Sequence, residues 1–352
     1  MSEKIKLAHG AGGELMDSLI KKNILKYFSK QKHPSVEVSL DMLDDAAVID
    51  DIVFSTDSHT VSPLIFPGGD IGSLAVCGTI NDVSVLGAKP LALSAGFLIE
   101  EGFSMDTFEK IVKSMASISE KAGVPIITGD TKVVEKDALQ EFMINTSGIG
   151  RKSKFLGHNI KVVKRYRRFD SRWLVDSNLR DGDVIIVSGN IGEHGIALLS
   201  FREGYGFETE IKSDVAPLNG LMEKVMAQGG IVSAKDPTRG GLANTVNEFN
   251  EKSRVGIVLN EENIPIPDGV RSACDMLGID PLEIGNEGKV VLGVVEEKAD
   301  DVLKVLKKHQ FGKNAAVIGK ATKKVKGVVL ETTVGGRRIL HKPLGDPVPR
   351  IC

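Results

Sequence analysis

Cysteine is scarce in this 352-residue chain, which holds only Cys77, Cys274 and Cys352. So few thiols exclude a disulfide framework and suggest a reducing compartment. Neither Cys77 nor Cys274 has another Cys or a His at metal-ligand spacing, so no zinc module is indicated, and Cys77, within Leu74-Ala75-Val76-Cys77, reads as core. An excess of one charge is also missing. The formal net charge of −2 gives no global field for nucleic acid or an anionic membrane. No apolar run approaches the ~20 residues that span a bilayer, and residues 1–6 lack the apolar core of a secretion signal. The expectation is a cytoplasmic protein with no nucleic-acid or membrane partner. The common nucleotide fingerprints are absent as well: there is no Gly-x-x-x-x-Gly-Lys-[Ser/Thr] loop and no Rossmann glycine pattern. Any ATP site must be of another type.

What is present is an alternating pattern long enough for two domains. After a glycine-rich stretch, His9-Gly10-Ala11-Gly12-Gly13, a helix is predicted over 14–28. Short strands are predicted over 36–40, 46–49 and 52–56, a helix over 70–86, a strand over 91–99, a Ser104-capped helix to 121, and strands over 125–128 and 141–149. A second half opens near Asp181 with a buried-strand run, Val184-Ile185-Ile186-Val187. Helices fit 192–202, 215–228 and 241–251; strands fit 255–259, 289–295 and 315–318, with a helix between the last two. The fold class is α/β (α+β). The divisions are an N-terminal segment 1–35, a domain 36–150, a basic connector 151–180, a domain 181–332 and a tail 333–352. Residues 151–172 hold nine Lys or Arg against one acid, Asp170; a solvated connector is the preferred reading over a phosphate or partner patch.

The chemistry-bearing residues of the first half are carboxylates: Asp44-Asp45 before a strand, Asp57 at a strand end, Asp82 just after Thr79-Ile80-Asn81 in a helix, and Asp130 in Thr128-Gly129-Asp130-Thr131-Lys132. Open α/β folds place ligands beyond strand ends, and hard oxygen donors suit Mg²⁺ bridged to phosphates. One such Asp is ordinarily a turn former; four sites flanked by Thr, Gly and Asn suggest Mg–nucleotide binding, with Thr79 and Asn81 among the cofactor contacts. Lys132 could neutralise a transferring phosphate; a solvent-exposed Lys after a turn is the alternative. In the second half, Asp236-Pro237-Thr238-Arg239-Gly240-Gly241 opens a helix whose N–H groups, with Arg239, suit phosphate; a plain helix cap is the alternative. Glu287, between Asn286 and Gly288, reads as an ordinary loop residue or a positioned base. His9 reads equally as a substrate contact or a surface residue.

The sequence finishes Pro349-Arg350-Ile351-Cys352, with Pro343 and Pro347 upstream and Gly335-Gly336 offering a hinge. A terminal thiol can carry a covalent group on a stiff, extended arm; a frayed end is the alternative.

Together these segments resemble the hydrogenase-maturation HypE family, through 9–13, 44–48, 55–63, 66–82, 128–135, 145–150, 236–243, 286–289 and 346–352, of which the terminal Pro-Arg-Ile-Cys and the 55–82 block are the most specific. The resemblance implies the two-domain fold shared with aminoimidazole ribonucleotide synthetase, selenophosphate synthetase and thiamin-phosphate kinase, as a homodimer whose N-terminal halves join in a barrel-like sheet. It implies ATP-dependent dehydration of a carbamoyl group loaded on Cys352 by a HypF-type carbamoyltransferase. The resulting cyano group would pass to iron on a HypC–HypD-type assembly complex. It also implies that Asp44, Asp45, Asp57, Asp82, Asp130 and Asp236 hold Mg²⁺ and phosphates and that Glu287 accepts a proton. The basic connector departs from the family pattern. A same-fold enzyme acting on a free small molecule, and a non-catalytic thiol carrier, remain as alternatives.

Overall fold

The computed structural model describes residues 4–202 and 210–345; Cys352, Pro347 and Pro349 lie outside the described residues. The first half builds a six-stranded sheet from β1 (Val36–Val38), β2 (Ala47–Ile49), β3 (Ile52–His59), β4 (Ala88–Glu100), β5 (Ile126–Val134) and β6 (Phe142–Lys152). The spatial order is β1-β2-β3-β6-β4-β5, antiparallel except for the β4–β5 pair. One face receives helices α1 (Ile71–Val85) and α2 (Met105–Ala122). Period-2 alternation turns Val53 and Ser55 inward and leaves Ile52 and Phe54 exposed on the other face, where Ile149, paired opposite Phe54, is exposed too.

Helix α1 starts where Asp70 and Ser73 form a reciprocal capping box. Apart from Asp82 it carries no charged side chain, and it is buried nearly all round. That pattern fits a helix enclosed on every side rather than a surface one. It lies between the first sheet and the second half, touching elements of both.

The second half builds a seven-stranded sheet from β7 (Val184–Val187), β8 (Ile231–Lys235), β9 (Gly256–Asn260), β10 (Val291–Val294), β11 (Ala316–Thr322), β12 (Val328–Glu331) and β13 (Arg337–Ile339). Its order is β8-β10-β7-β11-β9-β12-β13. Helices α3 (Lys154–Val163), α4 (Glu193–Phe201), α5 (Asn219–Gln228), α6 (Gly241–Ser253), α7 (Asp268–Leu277) and α8 (Ala299–Lys307) complete it. The two cores interlock: Val83 and Leu86 of the first half pack with the second sheet, while Ile196, Leu199 and Ile284 pack with the first.

Several expectations are revised. The basic connector is not a solvated tether. Leu156, Ile160, Val162 and Val163 turn α3 into an amphipathic helix docked on α5 and β8, and Trp173 and Leu174 are buried behind it. Some of its cations are used in ion pairs: one Arg167 nitrogen meets both Asp183 oxygens at 2.7 and 2.8 Å, and Arg172 reaches Glu37 at 2.7 Å. Residues 215–218 are not helical; Pro217 removes a backbone donor there. β5 runs through Asp130 and Lys132 instead of stopping before them. Gly335, in the left-handed region at φ 80°, makes the turn between β12 and β13 rather than a hinge, and Leu340 and Lys342 beyond it are buried. Replacing Arg167 by Met leaves Asp183 buried without its partner, at an expected cost of about 3–5 kcal/mol in a denaturant titration; a loss under about 1 kcal/mol would restore the solvated-connector reading.

Candidate active site

Where the halves meet, two connected cavities open. The outer, of about 430 Å³, is walled by Gly12, Gly13 and Asp17 from the N-terminal segment, by Asp44 and Asp45 before β2, and by Lys235, Asp236, Arg239 and Glu248. The inner, of about 190 Å³, is lined by Asp57, Gly78, Asp82 and Glu287, and shares Asp45, Thr56, Asp236, Thr238 and Arg239 with the outer one. Elements from both halves supply the walls: β3 brings Asp57, α1 brings Asp82, the end of β8 brings Asp236, and the loop before β10 brings Glu287.

This crowds like charges, some fully buried and others half-buried, into one seam. Burial first, then the charges of Asp236, Asp57 and Asp45, push Asp82 well above the carboxylate range, while a 2.6 Å hydrogen bond from Ser55 Oγ opposes this. Asp236 and Glu287 are pushed up for the same reasons. Asp44 is raised to about 7 by burial and Asp176, and Asp45 to about 6 by burial, against the pull of Lys235. Asp236 Oδ2 and Glu287 Oε1 are buried with no hydrogen-bond partner. Lys235, buried, lines the outer cavity, and Lys252 stands behind it. Lys235 pairs with Asp45, with Glu248 at 3.1 Å and with Asp176 at 3.5 Å; Lys252 meets Asp176 at 2.6 Å and Asp44 at 3.9 Å. Arg239 stands 3.8 Å from Asp57. Burial pushes the His59 imidazole, 3.4 Å from Asp57, below its ordinary value.

Among the described residues, no three His, Cys, Asp or Glu side chains form a ready-made metal cage. The chamber nevertheless fits a hard cation: its buried donors are oxygens, two of them orphaned, and their mutual repulsion is what a divalent ion relieves. Asp45, Asp57, Asp82 and Asp236 line the chamber and could hold one.

Not every sequence candidate joins them. Asn81 turns away from the chamber: its Nδ2 donates to Ala216 O at 3.1 Å and Glu287 O at 3.2 Å, and its Oδ1 accepts from Leu218 N–H at 2.8 Å. Thr79 is buried against Thr146, 2.6 Å between hydroxyls. Gly240 and Gly241, both at positive φ, serve contact: added Cβ atoms would stand 2.5 Å from Gly12 O and 2.5 Å from Ile284 O. Asp130 and Lys132 lie on exposed edge strand β5 and line neither chamber. His9 is used locally, its Nδ1 accepting from Lys6 N–H at 2.9 Å. The sequence reading missed Lys235, Asp176, Glu248 and Lys252. The available signal was a Lys closing the apolar run Ile231-Val232-Ser233-Ala234.

The first half, residues 43–152, matches the model of the AIR synthase related protein N-terminal domain, and residues 180–331 match its C-terminal domain. A putative hydrogenase expression/formation protein of Methanocaldococcus jannaschii is 52% identical over 99% of this chain and 100% of its own. The carbamoyl dehydratase HypE of Azotobacter vinelandii is 42% identical over 99% of this chain and 97% of its own. Among solved structures, a HypE–HypF complex superposes with TM-score 0.83 at 44% identity, covering 93% of this chain and 100% of that one. A hydrogenase maturation protein HypE in complex with ATP gives TM-score 0.77 at 40% identity, covering 99% and 100%.

The carboxylate crowding sets a pH dependence. The folded values of Asp44 and Asp45, about 7 and about 6, lie above the ordinary 3.8, so the folded chain retains protons that the unfolded chain releases. Stability present below about pH 4 is lost as pH rises through 6 to 7. In buffer free of divalent ions and nucleotide, stability should fall between about pH 4 and 7, and Asp44→Asn should flatten the fall. A chain that grows more stable over that window contradicts the crowding.

Proposed function

Because the chain belongs to the HypE family of carbamoyl dehydratases, we propose that it uses ATP to remove water from a carbamoyl group carried on its own Cys352, converting a thiocarbamate to a thiocyanate. One observation carries the reading: the root of the tail is built into the wall of the nucleotide-sized cavity. Lys342, buried, pairs with Asp17 at 2.7 Å, Glu251 at 3.5 Å and Glu248 at 3.8 Å, and Asp17 and Glu248 line that cavity. Pro343 O accepts from Glu14 N–H at 3.0 Å. The remaining residues, 344–352, have an extended reach of roughly 28 Å at ~3.1 Å per residue, enough to bring a thiol back over the cavity.

The chemistry then asks little of the protein beyond placement. An amide oxygen is a poor leaving group, and phosphate is a good one. The carbamoyl oxygen attacks the γ-phosphorus of ATP and the bond to ADP breaks. Loss of the two N–H protons, with departure of phosphate from carbon, leaves S–C≡N. Asp45, Asp57, Asp82 and Asp236 would hold Mg²⁺, which when bound would offset phosphate charge. Thr238 and Arg239 face the same phosphates, and Glu287 takes a proton from the carbamoyl nitrogen. A HypF-type carbamoyltransferase loads Cys352, and a HypC–HypD-type complex receives the product. The exposed apolar face of the first sheet, with Phe54 and Ile149, and the free edge of β5 support a homodimer. In this scheme Asp130 and Lys132 reach a nucleotide site only across that pairing.

Intact-protein mass spectrometry, after carbamoyl loading and again after ATP, tests the scheme. Cys352→Ala should bind ATP yet never carry thiocyanate; labelled product on that variant overturns the reading. Glu287→Gln should bind ATP and stall at the carbamoylated state, whereas dehydration at the unaltered rate would remove Glu287 from the mechanism. Tail deletion that leaves ATP turnover on a free small molecule intact would favour the same-fold alternative.

A further inference from the structure

Glu287 reaches the inner chamber from a loop held by hydrogen bonds from several sides. Asn286 Oδ1 accepts from Gly192 N–H at 2.8 Å, and its amide donates to Pro237 O at 3.1 Å and to Ile284 O at 3.0 Å. The Glu287 carbonyl is held by Asn81. Its N–H donates to a side chain outside the loop, Asp214 Oδ1, at 3.0 Å. On the next residue a Cβ would stand 1.9 Å from Asp214 O, so Gly288 is what lets the two segments touch. One residue further, Lys289 Nζ lies 3.0 Å from Asp214 Oδ2, an ion pair rather than a well-directed hydrogen bond, and 3.5 Å from Glu193 Oε2.

Asp214 is in turn fixed by the strap that carries it. Ser213 N–H donates to Pro67 O at 2.8 Å, and Ser213 Oγ meets His194 Nδ1 at 2.7 Å. Asn81 clasps the strap at Ala216 and Leu218. The carboxylate of Asp214, with 1% of its side chain exposed, therefore bridges a rigid strap to the backbone of Glu287.

We propose that Asp214 is the positioning residue for Glu287: its carboxylate, held by Lys289, anchors the Glu287 peptide so that the Glu287 carboxyl projects into the chamber. The inference rests on the reading of Glu287 as proton acceptor. A loop freed by an ångström misplaces the acceptor, and displacements of that size cost on the order of a hundredfold in rate.

The test is a double-mutant cycle on the full-length chain, carbamoyl-loaded on Cys352, with single-turnover dehydration and ATP affinity measured together. Asp214→Ala is expected to slow dehydration by about tenfold to a hundredfold while ATP affinity stays within about threefold. In the Glu287→Gln background the same change should slow it no further, because a residue that acts through Glu287 has nothing left to position. Asp214→Asn, nearly isosteric, carries the same comparison if the Ala variant does not fold. An equal slowing in both backgrounds, no slowing in either, or a loss of ATP affinity in step with the rate overturns the inference while leaving the Glu287 reading intact. Full activity of Glu287→Gln alone sinks both.

Discussion

Like charges buried together in the seam between two α/β halves are the constraint on which the rest of the molecule depends. Asp45, Asp57, Asp82, Asp236 and Glu287 share one small chamber. Isolated buried carboxylates are costly, and such a cluster persists only when surrounding structure compensates. The compensation has two parts. Lys235 and Lys252 form a cationic wall behind Asp44 and Asp45, and the two hydrophobic cores exchange residues across the seam so that the halves cannot relax apart without exposing both. The free chain thus holds strain that a cation and a polyphosphate are suited to relieve, as expected where stability has been exchanged for a site.

The wall also ties the terminal segments to the chamber. Glu248 touches both Lys235 and Lys342, and burial, which opposes its charge, is outweighed by Lys235, Lys252 and Lys342, holding it at about 2. The glycine-rich stretch fits between: Gly12 packs on Arg239, and an added Cβ on Gly13 would stand 2.2 Å from Pro343 O. The N-terminal stretch and the tail root are therefore one assembly with the outer cavity. Gly12 and Gly13 are there because two backbones approach, not because a loop must flex.

Much of the frame was legible in the sequence, for local reasons. Asp70 and Ser73 mark the start of α1, Ser104 and left-handed Gly123 bracket α2, and each signal acts within one turn of helix. Strand ends were less legible because tertiary pairing decides them. β5 continues through Asp130 and Lys132 because β4 pairs with it residue by residue, and no local signal announces that partner. α3 was obscured by its setting in a basic segment, nine Lys or Arg over 151–172, that masks an ordinary apolar stripe. The site was legible as a set of residue types; its membership was not. Asn81 and Asp82 are neighbours in sequence, yet a helix turns about 100° per residue, so one faces the Glu287 loop and the other the chamber.

That divergence separates residues spent on the fold from residues with polar atoms left over. Asn81, Asn286 and Thr79 sit as close to the seam as the carboxylates do, but their polar atoms are paired within the fold: the Asn81 amide alone stitches Ala216, Leu218 and Glu287 together. Such a residue has little left to offer a ligand, and its loss would leave buried backbone groups unpaired. Asp236 Oδ2 and Glu287 Oε1 are equally buried and have no protein partner. An atom kept dry and unpaired is costly unless something arrives to meet it. Between Asn81 on one side and Asp236 and Glu287 on the other, pairing within the fold rather than proximity makes the difference, and because it depends on partners as many as 206 residues away, as for Asn81 and Glu287, it becomes visible only once the chain is folded.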